Sequence, residues 1–153
     1  TEGDIIGLFL KAAVPPGLTP AEAARRIKEQ HALVLIPHPF DPFRRSVITR
    51  RGLEELLPYA DMVEAFNARN LRAMDNERAY RFALEHGLPV VSVSDAHTLT
   101  EVGGAYTEMP EFDGTPQGLK EAVKEGRMMG ERAGLWARFA TTYNKLMARI
   151  LGR

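Results

Sequence analysis

Two potential metal ligands follow a hydrophobic run in the second half of the chain. The stretch "PVVSVSDAHTLTEVG" (89–103) begins like a buried strand, and Asp95 and His97 come where its apolar part ends. Because they are two residues apart, their side chains point to the same side of an extended backbone and could bind one ion. The alternative is structural, since an Asp after a strand often caps the following helix.

A third potential ligand, His38, follows another apolar run, "ALVLIPHP", and lies between Pro37 and Pro39. Each proline fixes its own φ and restricts the preceding residue, so the backbone around the imidazole is stiff. A lone histidine beside proline can also be an ordinary loop or core residue. Taken together, His38, Asp95 and His97 predict one shared metal site at neighbouring strand ends.

The chain contains no cysteine, which excludes disulfides, thiolate zinc sites and iron–sulfur clusters. The remaining donors, imidazole and carboxylate, suit divalent zinc, manganese or iron. Two arginines near the same strand ends, Arg44 and Arg69, are candidates for holding a phosphate oxygen of a substrate. Alternatively, each arginine is a solvated surface residue without a role in binding.

Apolar runs alternate with helical patterns along the chain, which predicts an α/β fold with a mostly parallel sheet and outer helices. In such folds functional side chains gather at the carboxyl ends of the strands. The predicted strands are Ile5–Leu10, Leu33–Ile36, Met62–Ala65 and Val90–Val93. Helices are expected over "LTPAEAARRIKEQ", "NLRAMDNERAYRFALEHG" and "TPQGLKEAVKEG", and a C-terminal amphipathic helix over 131–151.

Composition limits the classes of protein to consider. With 153 residues the chain is predicted to form a single domain, 1–153. Its 20 basic and 20 acidic residues balance, so non-specific binding to nucleic acid or to an anionic membrane is not expected. No apolar run approaches the roughly 18 residues of a membrane span, and we predict a cytoplasmic protein.

Three motifs, "LVLIPHPFDPFR", "VEAFNARN" and "VVSVSDAHTLTEVG", resemble in their order the PHP (polymerase and histidinol phosphatase) family of metal-dependent phosphoesterases. The resemblance implies a distorted β/α barrel whose strand ends hold two or three divalent metals. It implies that His38 is the ligand of the PHP box and that Asp95 and His97 are the closing pair. Bound ions would acidify a water, orient the phosphate and stabilise the developing charge.

The family's opening His-x-His box has no counterpart here, and the chain begins without Met inside a strand pattern. We therefore expect the C-terminal part of a PHP-type barrel with an incomplete metal site. The leading functional hypothesis is a metal-dependent phosphoesterase that acts on a phosphorylated small molecule or a nucleotide. The alternatives are a non-catalytic scaffold or partner-binding module that retains the fold, and another metal-dependent hydrolase such as an amidohydrolase.

A barrel without its first strands would leave an unpaired edge beside "DIIGLFL". An unpaired edge is a template for pairing with another chain. The sequence therefore predicts a homo-oligomer, formed through a self-complementary interface or by exchange of an element.

Overall fold

The computed structural model describes residues 3–132, which form a mixed α/β fold. Its strands are β1 (Ile6–Leu8), β2 (Leu33–Ile36), β3 (Met62–Asn67), β4 (Val90–Val93), β5 (Ala105–Glu108) and β6 (Arg127–Gly130). Its α-helices are α1 (Pro20–Lys28), α2 (Arg50–Leu56), α3 (Ala73–Glu85) and α4 (Pro116–Lys124). Two short 3₁₀ helices cover Leu57–Tyr59 and Leu99–Glu101. The helix predicted over 131–151 lies outside the described residues from 133 onward.

Four strands form one sheet in the order β1-β2-β3-β4. The pairs β2–β3 and β3–β4 are parallel, which confirms the predicted mostly parallel arrangement of the central strands. The first strand differs from the prediction, because it is shorter than Ile5–Leu10 and runs antiparallel to β2. Within residues 3–132 the sheet has β1 and β4 as its outer strands and is not closed, so the predicted barrel is not confirmed.

The antiparallel pair β5–β6 forms a second sheet that the sequence did not predict. It joins β4 through side chains rather than through a continuous ladder. The backbone N–H of Ser92 donates to Oγ1 of Thr107 at 2.8 Å, and Oγ of Ser92 donates to the carbonyl of Met129 at 2.9 Å. The edge of β4 is thus covered, which limits its tendency to pair with another chain.

The alternation of side chains along the strands divides the core into two layers. In β2, Val34 and Ile36 pack in one hydrophobic cluster, whereas Leu33 and Leu35 pack in the other. The first cluster includes residues of α1, α2 and α3, and the second includes Val123 of α4. Both faces of the sheet are covered, as a parallel sheet requires.

Local capping explains where α1 and α4 begin. Oγ1 of Thr19 accepts the backbone N–H of Glu22, and Pro20 takes the first position of α1. Thr115 and Pro116 start α4 in the same way. Among residues 3–132, the helices are all too short or too polar to cross a membrane.

Candidate functional site

Three parallel strands bring polar side chains to one edge of the sheet. His38 follows β2, Asn67 ends β3, and Asp95 follows β4. The register pairs Asn67 with Val93, so the ends of β3 and β4 are neighbours, whereas Ile36 at the end of β2 pairs with Val63, so that His38 lies beside Glu64 within β3. The carboxyl edge of a parallel sheet is where α/β proteins place their ligand sites, because following loops can vary while the strands stay fixed.

His38 is buried, with 7% of its surface exposed, and its backbone is in the left-handed region with a φ of 28°. Its backbone N–H donates to Oε2 of Glu64 at 3.1 Å. Its Nδ1 is buried and has no hydrogen-bond partner, while its Nε2 lies 3.8 Å from Oδ2 of Asp4. A buried polar atom without a partner is uncommon and costs free energy, which makes this nitrogen a candidate ligand for a bound group; Oδ1 of Asn70 is buried without a partner as well.

The electrostatic surroundings favour a neutral imidazole at His38. Burial lowers the pKa of His38, and the charge of Arg44 lowers it further, whereas Asp4 and Asp95 act in the opposite direction. Because the pKa lies below its ordinary value, the imidazole is neutral at neutral pH. Neutral imidazole is the form that binds a metal ion.

Glu64 supports the loop that carries His38. Its buried carboxylate accepts the His38 N–H and, also at 3.1 Å, Nδ2 of Asn67. Residues three apart in a regular strand point to opposite faces, but the register of β3 against β4 shifts between Glu64 and Phe66. This β-bulge places the side chains of Glu64 and Asn67 within hydrogen-bonding distance. Burial raises the pKa of Glu64, although the bonds from Asn67 and His38 oppose that effect.

Helix α3 holds the end of β3 through amide side chains. Oδ1 of Asn76 accepts the backbone N–H of Asn67 at 3.1 Å, and Nδ2 of Asn76 donates to the carbonyl of Asn67 at 3.3 Å. Nδ2 of Asn70 also donates to Oδ1 of Asn76. All three asparagines are buried. The position of Asn67 in the site is thus fixed by a helix as well as by the sheet.

Arg44 lies at the centre of the site and connects three segments. Its Nε donates to Oδ2 of Asp41 at 3.1 Å, and its Nη2 donates to Oδ1 of Asn67 at 3.3 Å and to Oδ2 of Asp95. Only 21% of the Arg44 side chain is exposed, so Arg44 is not a solvated surface residue. Asp95 itself has a φ of 50°, a strained value for a residue other than glycine.

Arg69 forms a second ion pair next to this centre. Its guanidinium donates to Oε1 of Glu101, and the two side chains are only 10% and 5% exposed. Oε2 of Glu101 accepts the backbone N–H of His97 at 3.0 Å and Oγ1 of Thr98 at 2.9 Å. Burial raises the pKa of Glu101, but these hydrogen bonds and the charge of Arg69 outweigh it and lower the pKa. Glu101 thus fixes the backbone at His97, whose own side chain is exposed.

The structure therefore brings three of the predicted residues together and leaves the side chain of His97 exposed. His38, Asp95 and Arg44 interact electrostatically, while His97 contributes its backbone N–H. Within residues 3–132, no three His, Asp or Glu side chains are grouped so that they could hold a metal ion. The buried free nitrogen of His38 fits the donor chemistry of a divalent cation, but the number of grouped donors does not complete a site. Assignment of His38, Asp95 and His97 as ligands, and of Arg44 and Arg69 as substrate-binding residues, stays a prediction.

The assignment from sequence missed four carboxylates of the site: Asp4, Asp41, Glu64 and Glu101. Three of them belong to the motifs "PHPFD", "EAFN" and "SDAHTLTE", namely Asp41, Glu64 and Glu101. Their position in these motifs was the signal that could have identified them as site residues. Asp4 gave no comparable signal, because its proximity to His38 depends on the antiparallel pairing of β1 with β2.

Comparisons with known proteins found one family match and two curated relatives. Residues 73–128 match the model of a family described as PHP-associated. The chain is 39% identical over 120 residues to uncharacterised protein MJ0417 of Methanocaldococcus jannaschii, covering 72% of this chain and 48% of the relative. It is 46% identical over 68 residues to uncharacterised protein MJ1587 of the same organism, covering 44% and 37%. The chain thus spans half or less of the length of the curated relatives it matches.

The fold also resembles a solved structure. A two-domain protein from Bacteroides vulgatus, named as containing a predicted PHP-like metal-dependent phosphoesterase, superimposes with a TM-score of 0.63. The match covers 83% of this chain and 40% of that chain at 18% sequence identity, so it supports the fold. The family match and this fold confirm the resemblance to the PHP family.

Proposed function

We propose that this chain, whose residues 73–128 form a PHP-associated region, is part of a metal-dependent phosphoesterase that hydrolyses a phosphate ester of a small molecule or nucleotide. The observation that carries the proposal is the buried, unpartnered Nδ1 of His38, at the sheet edge where Asp95 also lies. Catalytic groups of α/β proteins gather at this edge. Ligands beyond those grouped here would come from elsewhere in the protein.

In this proposal His38 and Asp95 would hold a divalent ion, and the exposed His97 would join them by rotation of its side chain. When bound, such an ion polarises a phosphoryl oxygen and lowers the pKa of water, and zinc, manganese and iron all suit these donors. Glu64 would keep the His38 loop in place by accepting its N–H. Arg44 and Arg69 would supply guanidinium donors for phosphate oxygens. The planar guanidinium can donate two parallel hydrogen bonds to a phosphate group.

The test is phosphate release by a protein that contains this chain, with Mn²⁺ or Zn²⁺ and with EDTA. Phosphomonoesters, phosphodiesters and nucleotides would be offered as substrates. We expect metal-dependent hydrolysis that falls by about 100-fold or more in His38→Asn and Asp95→Asn, because metal contributes several kcal/mol to such reactions. His31→Asn is a matched control, since His31 is exposed and also has a positive φ, 58°, but lies before β2.

The alternative is a non-catalytic module that keeps the fold for scaffolding or partner binding. It is favoured by the absence of a three-donor group within residues 3–132 and by the arginine at the centre of the site. A folded, metal-replete protein that releases phosphate from none of the substrates would support this alternative. The cytoplasmic location and self-association remain predictions, and analytical ultracentrifugation would test the second.

A further inference from the structure

We infer that a cavity between α2, α3 and the loop after β2 is a binding site for a small organic anion. The anion has a planar, ring-containing apolar body and a single carboxylate. The cavity has a volume of about 630 Å³, and small-molecule sites usually have roughly 300–1,000 Å³. None of the candidate-site residues that the structure describes lines this cavity, so the inference does not depend on the proposed phosphoesterase activity.

Most side chains that line the cavity are apolar, and several are aromatic. Ile48 and Leu53 line it as buried members of the hydrophobic core. Phe40 and Phe82 also line it, with their ring centroids 5.7 Å apart in an edge-to-face arrangement. The ring of His86 continues this row, at 4.6 Å from the centroid of Phe82. A planar ring of a ligand can add a further edge-to-face or offset contact to the row, because aromatic pairs favour these arrangements.

One positive charge at the cavity lacks an anionic partner. Arg50 and Glu54 both line the cavity but compensate each other, because Nε of Arg50 donates to Oε1 of Glu54 at 3.2 Å. The guanidinium of Arg78 lies 4.8 Å from the centroid of the Phe40 ring. Within residues 3–132 no carboxylate pairs with Arg78 and no protein group accepts its N–H donors. These donors are therefore open to an anionic group of a ligand.

This charge pattern favours a carboxylate over a phosphate. A guanidinium can donate two parallel hydrogen bonds to a carboxylate, and such charge-assisted bonds are stronger than bonds between neutral groups. A phosphate monoester carries about two negative charges at neutral pH, and Arg78 compensates only one of them. The carboxylate of Glu54, which lines the same cavity, adds repulsion to the second charge. The apolar lining then requires that the rest of the ligand be apolar as well.

The experiment compares 2-naphthoate with 2-naphthamide, which has the same rings but no charge, by isothermal titration of the full chain. We expect 2-naphthoate to bind about tenfold more tightly, because a hydrogen bond to a charged group contributes about this factor. Arg78→Gln should remove the difference, and it should fold because Arg78 is exposed. Arg81→Gln is the matched control, since Arg81 pairs with Glu77 on the same helix and does not line the cavity. It should change neither affinity.

A second measurement tests the location of the site. Addition of 2-naphthoate to the unmodified chain should shift the NMR signals of the Phe40, Phe82 and His86 rings. Phe82→Leu should weaken the binding of both naphthalene probes by a similar factor, because it removes a ring contact that does not depend on the charge of the probe.

Equal affinity of the unmodified chain for the two probes would overturn the inference, as would a difference that persists in Arg78→Gln. Binding that leaves the signals of the three rings unchanged would overturn it too. A chain that binds neither probe also contradicts it. If that chain forms a dimer that Phe82→Glu dissociates, the cavity belongs to an interface with a second copy. Phosphate release plays no part in these measurements, so their outcome is independent of the proposed function.

Discussion

The two ends of β3 carry carboxylate clusters of opposite character. At the start of the strand, buried Asp61 accepts Nζ of Lys28 at 2.7 Å, Nζ of Lys120 at 2.8 Å and the backbone N–H of Val34 at 2.8 Å. Each carboxylate oxygen has a charged partner, and one of them has a backbone donor as well. This cluster ties α1, β2 and α4 together.

At the other end of β3 the polar groups are incompletely satisfied. Nδ1 of His38 has no partner, and both His38 and Asp95 have backbones in the left-handed region. Positive φ at a residue other than glycine and an unpartnered buried atom each cost stability. The comparison shows that the polar clusters of one sheet differ in how fully their groups are paired: every oxygen of Asp61 has a charged partner, whereas the cluster around Asp95 keeps an unpartnered nitrogen and two residues with positive φ.

The largest expected effect is on stability at the Asp61 cluster. Asp61→Ala leaves the buried backbone N–H of Val34 without its acceptor and two partly exposed lysines without their partner, so we expect a loss of about 2–3 kcal/mol in the free energy of unfolding. Asp95→Ala is the matched variant, and it should change this free energy less, by about 1 kcal/mol, because Asp95 loses a single ion-pair partner and leaves no backbone donor unpaired. Arg44 also keeps Asp41 and Asn67 as partners. Urea unfolding of both variants gives the measurement, and equal losses would contradict the comparison.

A smaller effect concerns pH. Burial raises the pKa of Asp61, but hydrogen bonds from Lys120, Lys28 and Val34 outweigh it, so the folded-state pKa lies below the unfolded value. The stabilisation is therefore fully present above the unfolded pKa, near 4, and is lost as the pH falls through the folded pKa. This group alone adds a slope of at most about 1.4 kcal/mol per pH unit.

Urea unfolding between neutral pH and the acid range would show this slope, and Asp61→Asn should flatten the curve. Asp95→Asn provides the comparison at the other end of β3. If the stability of Asp61→Asn falls with acid as much as that of the unmodified chain, the ion pairs of Asp61 do not cause the acid dependence.

The smallest expected effect isolates backbone strain at Asp95. With a φ of 50°, position 95 favours glycine, so Asp95→Gly should be about 1 kcal/mol more stable than Asp95→Ala. Gly87→Ala is the calibration, because Gly87 has a φ of 63° and an added Cβ would meet nothing within 4 Å. Thermal or urea unfolding of Gly87→Ala should show a similar loss, about 1 kcal/mol, in the free energy of unfolding. Glycine and alanine variants of equal stability at position 95 would show that the backbone relaxes and that the strain is not retained.

Much of the fold was predictable because local signals agreed. Bounds of β2 and β4 were predicted as the structure has them, since Leu33–Ile36 and Val90–Val93 are apolar runs between turn residues. Helices α1 and α4 begin at Thr-Pro pairs whose capping chemistry is local. The pair β5–β6 escaped prediction because its strands are mostly exposed and therefore lack the apolar runs that mark β2 and β4.

The sequence by itself determined which residue types reach the strand ends: His38 after β2, Asp95 after β4, and no thiolate among the donors. Chain order and hydrophobic runs suffice for that, because parallel strands end at one edge. Only the tertiary structure decided their partners. The bulge in β3 joins Glu64 to Asn67, and the loop after β2 turns Arg44 into contact with Asp95. These contacts depend on register and loop path between residues 51 positions apart, which no local pattern encodes.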